Sequence, residues 1–132
     1  MNVLSSYAHA ASIVTPESLT ENTLASLEQI FTRPLVLAAF DLIDRSNVLE
    51  YSSPGGHYYQ VFGSTASYQV FLDLPSPTPA YCTCPAFSYL LLSPESTLMC
   101  KHILAALFGR KLGRIIQRQL NPEELATTLL QE

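Results

Sequence analysis

All three cysteines of this 132-residue chain fall between positions 82 and 100, as Cys82-x-Cys84 and then Cys100-x-His102. Three sulfurs and one imidazole nitrogen form the donor set of a closed tetrahedral zinc site. An odd number of cysteines leaves one over in any disulfide framework, so a reducing compartment and a metal are the better reading. The spacing also restricts the backbone. On a helix, positions i and i+2 point roughly 200° apart and cannot both face one ion. Cys82 and Cys84 must therefore sit on a tight turn leaving a strand. Cys100 must precede or open a helix, with His102 in its first turn, where the positive helix end favours thiolates. Pro85 suits a chain turning from this knuckle into a helix, and Lys101 is placed to offset the net negative charge of three thiolates on Zn²⁺. Four protein ligands leave no open coordination position, which makes the zinc structural and not catalytic.

The elements that must hold these groups read as one α+β domain over residues 15–120, with N-terminal helices, a small antiparallel β-meander and a zinc knuckle followed by a helix. Residues 1–14 show no firm periodicity and read as a tail. Thr15-Pro16-Glu17 reads as a helix start, and Leu24, Leu27, Ile30 and Phe31 follow at helical spacing. Pro34 opens a second segment, residues 35–43, apolar on nearly every side. Such a helix is either deep core or a docking surface, so Leu35, Val36, Phe40 and Ile43 are candidates for partner binding, with core packing as the competing reading.

Residues 48–51, 57–62 and 68–72 are aromatic and β-branched, separated by turn compositions, and predict the meander. Tyr68, Val70 and Leu72 would share one face, and Gln69, Phe71 and Asp73 the other. Pro75, Pro77 and Pro79 mark a stiff connector. A short apolar helix is expected over residues 86–92, ended by Pro94. A long helix is expected from about 99 to 120, weakened at Gly109 and Gly113. A last helix over 121–132 begins at Asn121-Pro122-Glu123-Glu124.

Composition narrows the function classes. Charged residues are 14 % of the chain, against about 25 % in ordinary domains, which favours a protein that buries surface against a partner. The net charge of −4 divides unevenly: residues 1–100 carry −6 and residues 101–132 carry +2. A chain of this balance is a poor autonomous binder of phosphate backbone. Arg110, Arg114 and Arg118 nevertheless recur every four residues and would share one helix face, with Lys111 alongside, a candidate strip for single-stranded nucleic acid. No apolar run reaches the roughly 18 residues of a membrane span, and the N-terminus has neither the basic start nor the apolar core of a secretory signal. There is no G-x-x-x-x-G-K-[ST] phosphate loop and no G-x-S-x-G elbow. His9 and His57 stand alone, and Asp41 and Asp44 read as solvated helix positions, so no enzyme is expected.

The cysteine and histidine pattern, between a β-meander and a helix, resembles a SWIM-type zinc finger with a finger core at about residues 68–108. Further stretches resemble the small stand-alone SWIM subunits of Shu complexes, in the same order. They are Asp41-Leu42-Ile43-Asp44-Arg45, Ser52-Ser53-Pro54, Tyr59-Gln60-Val61-Phe62-Gly63-Ser64, Cys82-x-Cys84-Pro85-Ala86-Phe87, and Cys100-Lys101-His102 with Leu104. The resemblance covers about residues 35–108. It implies a non-enzymatic zinc subunit in an obligate heterodimer with a RecA/Rad-type recombinase paralogue. Such an assembly would promote homologous-recombination repair in the nucleus by supporting recombinase filaments on single-stranded DNA. The alternative is an autonomous SWIM module that binds nucleic acid or protein outside recombination.

Overall fold

Alternating side chains in the middle third of the chain build a sheet with two unlike faces. The computed structural model describes residues 3–14, 21–53, 56–75, 78–87 and 99–119. Strands β1 (Val48–Ser53), β2 (Gly56–Phe62), β3 (Ser67–Phe71) and β4 (Tyr81–Cys82) run antiparallel in sequence order. The register Val48↔Val61, Tyr59↔Val70 and Val70↔Cys82 stacks these residues on one face, where all are buried. Tyr51, Tyr58, Phe71 and Tyr81 form a row across the other face, with successive ring centroids 5.4, 6.0 and 6.4 Å apart. The predicted meander is present, with strand ends within about two residues of expectation.

Two further elements complete the described fold downstream of the knuckle: helix α4 (Lys101–Leu112) and strand β5 (Ile116–Gln119). The His102 ring lies 4.7 Å from that of Tyr68, placing α4 on the Val48–Tyr59–Val61–Val70 face. Residues 102–109 are buried without exception, as expected of a helix with apolar residues all round. Gly109 allows this packing: a Cβ there would come within 3.0 Å of Ile115 Cγ1 and 3.6 Å of Ile43 Cγ1.

The expected helix of residues 99–120 stops eight residues early, at Leu112. Gly113 takes a left-handed φ of 68°. Its N–H bonds Arg110 O at 3.2 Å, and the Arg114 N–H bonds Gly109 O at 2.9 Å, the paired bonds of a Schellman end. The chain then enters β5, which pairs parallel with β1, Leu49 opposite Ile116 and Tyr51 opposite Arg118. Gly113→Ala should lower stability by about 1 kcal/mol, read from a denaturant midpoint, because only glycine holds this conformation without strain.

Helices α1 (Val3–Ile13), α2 (Glu21–Glu28) and α3 (Arg33–Asp44) precede the sheet. The segment expected as a tail is thus mostly α1, and Tyr7, Ala10 and Val14 are core residues at helical spacing. Thr32 caps α3 by accepting the Leu35 N–H, with Pro34 in the first turn. On this helix the four partner-surface candidates divide by burial. Val36 and Ile43 are buried in the core, and Leu35 and Phe40 pack against it, Phe40 stacked on Phe108 of α4 at 5.2 Å. Leu37, at 46 % exposure, is the apolar residue that α3 presents to solvent.

Asp73 also departs from expectation. A left-handed φ of 59° just past β3 turns it away from Gln69 and Phe71. Its carboxylate accepts bonds from Tyr7 Oη at 2.6 Å and from the Arg110 guanidinium, bracketing α1, the end of β3 and α4 together. The Arg110 hydrogen bond holds the Asp73 carboxyl below its usual range, against the opposing effect of partial burial. Burial, followed by the bond to Asp73, pushes the Tyr7 phenol up to about 12. A lowered folded-state value means stability that is present above the unfolded carboxyl value of about 3.9 and lost as pH falls through the folded one. Asp73→Asn, which tolerates the left-handed backbone, should cost no more than about 1 kcal/mol at pH 7, since the ion pair is half exposed. Paired melts should show the gap closing below pH of about 4. The expected helix start at Thr15-Pro16-Glu17, most of the 86–92 helix with Pro94, the centre of the proline connector and the 121–132 helix lie outside the described residues.

Candidate metal centre

Two short pieces of backbone carry the four ligands to one point. Cys82 ends the edge strand β4, held to β3 by the Val70↔Cys82 pair. The lock continues one residue further: the Thr83 N–H bonds Gln69 O at 3.1 Å, and the Gln69 N–H bonds Thr83 Oγ1 at 3.0 Å. The chain then bends so that Cys84 faces the same way as Cys82. Residues 85–87 begin a helical turn, and the Phe87 N–H donates to Cys84 Sγ at 3.4 Å, a bond that favours the thiolate. On the other side, Cys100 is the N-cap of α4 in extended conformation, and its side chain makes no capping bond, leaving the sulfur free to ligate. His102 sits in the first turn. This is the strand-turn and helix-start arrangement that the two one-residue gaps demand.

The four donor atoms lie within 4.8 Å of one another, and all four residues are buried. Zn–S bonds of about 2.3 Å in a tetrahedron put donors roughly 3.8 Å apart, so a common centre is within reach of small side-chain rotations. The cysteines form no disulfide. Among the described residues, buried His102 Nδ1 has no hydrogen-bond partner, and a buried nitrogen so placed is costly unless something coordinates it. Hydrogen bonds from Cys100 and then Cys82 favour ionisation of Cys84, whereas the bonds of Cys82 to Cys100 and Cys84, with burial, hold its proton on. Three crowded thiols shed all their protons only to a cation. Donor chemistry, burial and the orphaned nitrogen fit one structural Zn²⁺ in a Cys₃His site.

Residues around the imidazole were not legible as site residues. Tyr68 packs on the His102 ring, and Gly63, in the β2–β3 turn, leaves the ring room: a Cβ there would lie 4.0 Å from Nε2 and 3.2 Å from Ala66 O. Gly63 stood in a turn composition, but nothing in its neighbours signalled His102.

The single helix face expected of the basic strip is not formed, because the helix it required ends at Leu112. Arg110 is committed to Asp73 and Tyr7. Lys111 is exposed on α4. Arg114 lies beyond the helix and pairs with Asp44 at 3.1 Å, and Arg118 stands in β5. The four share no helix face.

With this geometry in place, residues 68–108 match the SWIM zinc finger family. The mouse protein named zinc finger SWIM domain-containing protein 7 is 33 % identical over 124 residues, covering 93 % of this chain and 78 % of its own length. Its zebrafish counterpart is 33 % identical over 86 % of this chain and 78 % of its own. The human protein of that name is 31 % identical over 93 % and 85 %. No solved structure matches the chain. Similarity of this extent, carried on a buried Cys₃His cluster, makes the chain a member of the zinc finger SWIM domain-containing protein 7 family.

Proposed function

We propose that this chain is the SWIM subunit of a Shu-type complex. It pairs with a RecA/Rad-type recombinase paralogue in an obligate heterodimer and promotes homologous-recombination repair in the nucleus by supporting recombinase filaments on single-stranded DNA. The observation that carries this reading is the reach of the similarity. The finger occupies residues 68–108, but the likeness to the mouse relative extends over 93 % of the chain, through the helices and strands that surround it. A finger borrowed into an unrelated protein would match over the finger alone. A chain with only 14 % charged residues is also poorly suited to a solitary life.

In this reading the zinc shapes a surface and takes no part in bond making. It ties β4 to α4, and α4 is the helix on which both the sheet and α3 rest. The chain's own groups supply no phosphate loop, so any nucleotide hydrolysis belongs to the partner.

Affinity purification of the tagged full chain under native conditions should recover a recombinase paralogue in stoichiometric amount. Recovery of a partner of another class, or of none, would overturn the assignment. Single-stranded DNA should bind the complex with an affinity that falls steeply between 50 and 200 mM salt, on the order of tenfold or more. It should bind the isolated chain weakly, because Arg110 and Arg114 are already paired with carboxylates.

A further inference from the structure

Strand β5 closes one side of the sheet, and among the described residues nothing pairs with its outward backbone. A strand directs its N–H and C=O groups alternately to either side. β5 uses one set on β1, and among the described residues the other set has no partner strand, an open template for another chain. It contains no proline. The opposite end of the sheet is less suited to extension, because β4 is two residues long and runs straight into the zinc turn. The side chains beside the β5 edge have a consistent character. Ile116 is 46 % exposed. Arg118, in β5 itself, is exposed and forms no ion pair among the described residues, and no Asp or Glu occurs between 101 and 118. In a chain of net charge −4, the open strand itself carries one cation, Arg118, and no carboxylate.

We propose that this edge receives an extended, acidic segment of the partner protein, which adds to β5 as a sixth strand. Backbone bonds supply the affinity, Ile116 contacts an apolar side chain, and Arg118 selects a carboxylate. A second copy of this chain is the poorer occupant, since it sets one positively charged edge strand against another. The inference rests on the pairing proposed above and names the surface that would serve it.

Amide-resolved hydrogen exchange on the full zinc-loaded chain, alone and co-purified with the recombinase paralogue, tests it without any substitution. In the chain alone, amides 116–119 should alternate between slow and fast exchange, and complex formation should slow the fast ones at least tenfold. Of Gln117→Pro and Arg118→Pro, one removes an N–H bonded to β1 and the other an outward N–H. The outward variant should keep its zinc and its melt yet lose the partner, while R118E should bind about tenfold more weakly at low salt. Unchanged exchange at 116–119 in a complex that does form overturns the edge assignment alone. Failure of the unmodified chain to bind the paralogue overturns the pairing and this inference with it. Protection in the isolated chain that grows with concentration, or that disappears on truncation after Gln119, assigns the edge to a second copy or to this chain's own C-terminus and overturns the proposal.

Discussion

Alanine at Cys82, Cys84, Cys100 or His102 should yield a chain that neither retains zinc nor unfolds cooperatively. Structural zinc contributes roughly 10–16 kcal/mol of apparent binding free energy at neutral pH. The whole stability of a small domain is about 5–15 kcal/mol, so no packing reserve of a 132-residue chain offsets the loss. Three further facts raise the expected effect. The four ligands are buried, the site joins β4 to the start of α4, and α4 is enclosed along residues 102–109. Elemental analysis should fall from one zinc per chain to near none, with the sharp thermal transition lost. A chelator applied to the native protein should reproduce both changes. Lys101→Ala, one residue from two ligands but exposed, should leave zinc content intact. A three-ligand variant that melts sharply would show that the metal is not structural.

The second large effect is expected at Val36. Val36→Asp places a carboxylate where exposure is 1 %, and a buried unpaired charge with loss of apolar packing costs more than about 4 kcal/mol. The same substitution at Leu37, the next residue of α3 and 46 % exposed, should change stability by less than about 0.5 kcal/mol. Val36→Asp should therefore lose fold, zinc and partner together, whereas Leu37→Asp keeps the first two. Melts and metal analysis on both variants check this. A Val36→Asp protein that melts normally but no longer binds its partner would return α3 to the docking role.

These two outcomes track what could and could not be read beforehand. The metal ligands were legible because a helix forbids i and i+2 from facing one ion, a constraint that needs no tertiary knowledge. The meander was legible from alternation between turn-forming stretches. The apolar run of residues 35–43 was ambiguous by nature, since burial against α4 and burial against a partner call for the same residue types. Strand β5 was hidden for a different reason. Ile115 and Ile116 continue the apolar stripe of α4, and Arg110, Arg114 and Arg118 continue its spacing, so local pattern favoured more helix. What overrides it is Gly113 in left-handed conformation and a pairing with β1 some 67 residues away, beyond any window of local periodicity. Arg110 and Arg114 look free by spacing because their carboxylates, Asp73 and Asp44, stand 37 and 70 residues distant. Helix α1 escaped notice because its buried positions include alanine, which gives little contrast with the serines around it.

The parallel pairing of Leu49 with Ile116 has a consequence for biosynthesis. On a ribosome, β1 emerges long before its neighbour on that side has been translated. For that interval Leu49 and Tyr51 lie along an uncovered flank of growing sheet, chemistry that invites nascent chains to stick to one another. Premature stop codons upstream of Ile116 should accordingly produce insoluble polypeptide even where the zinc ligands have all been made.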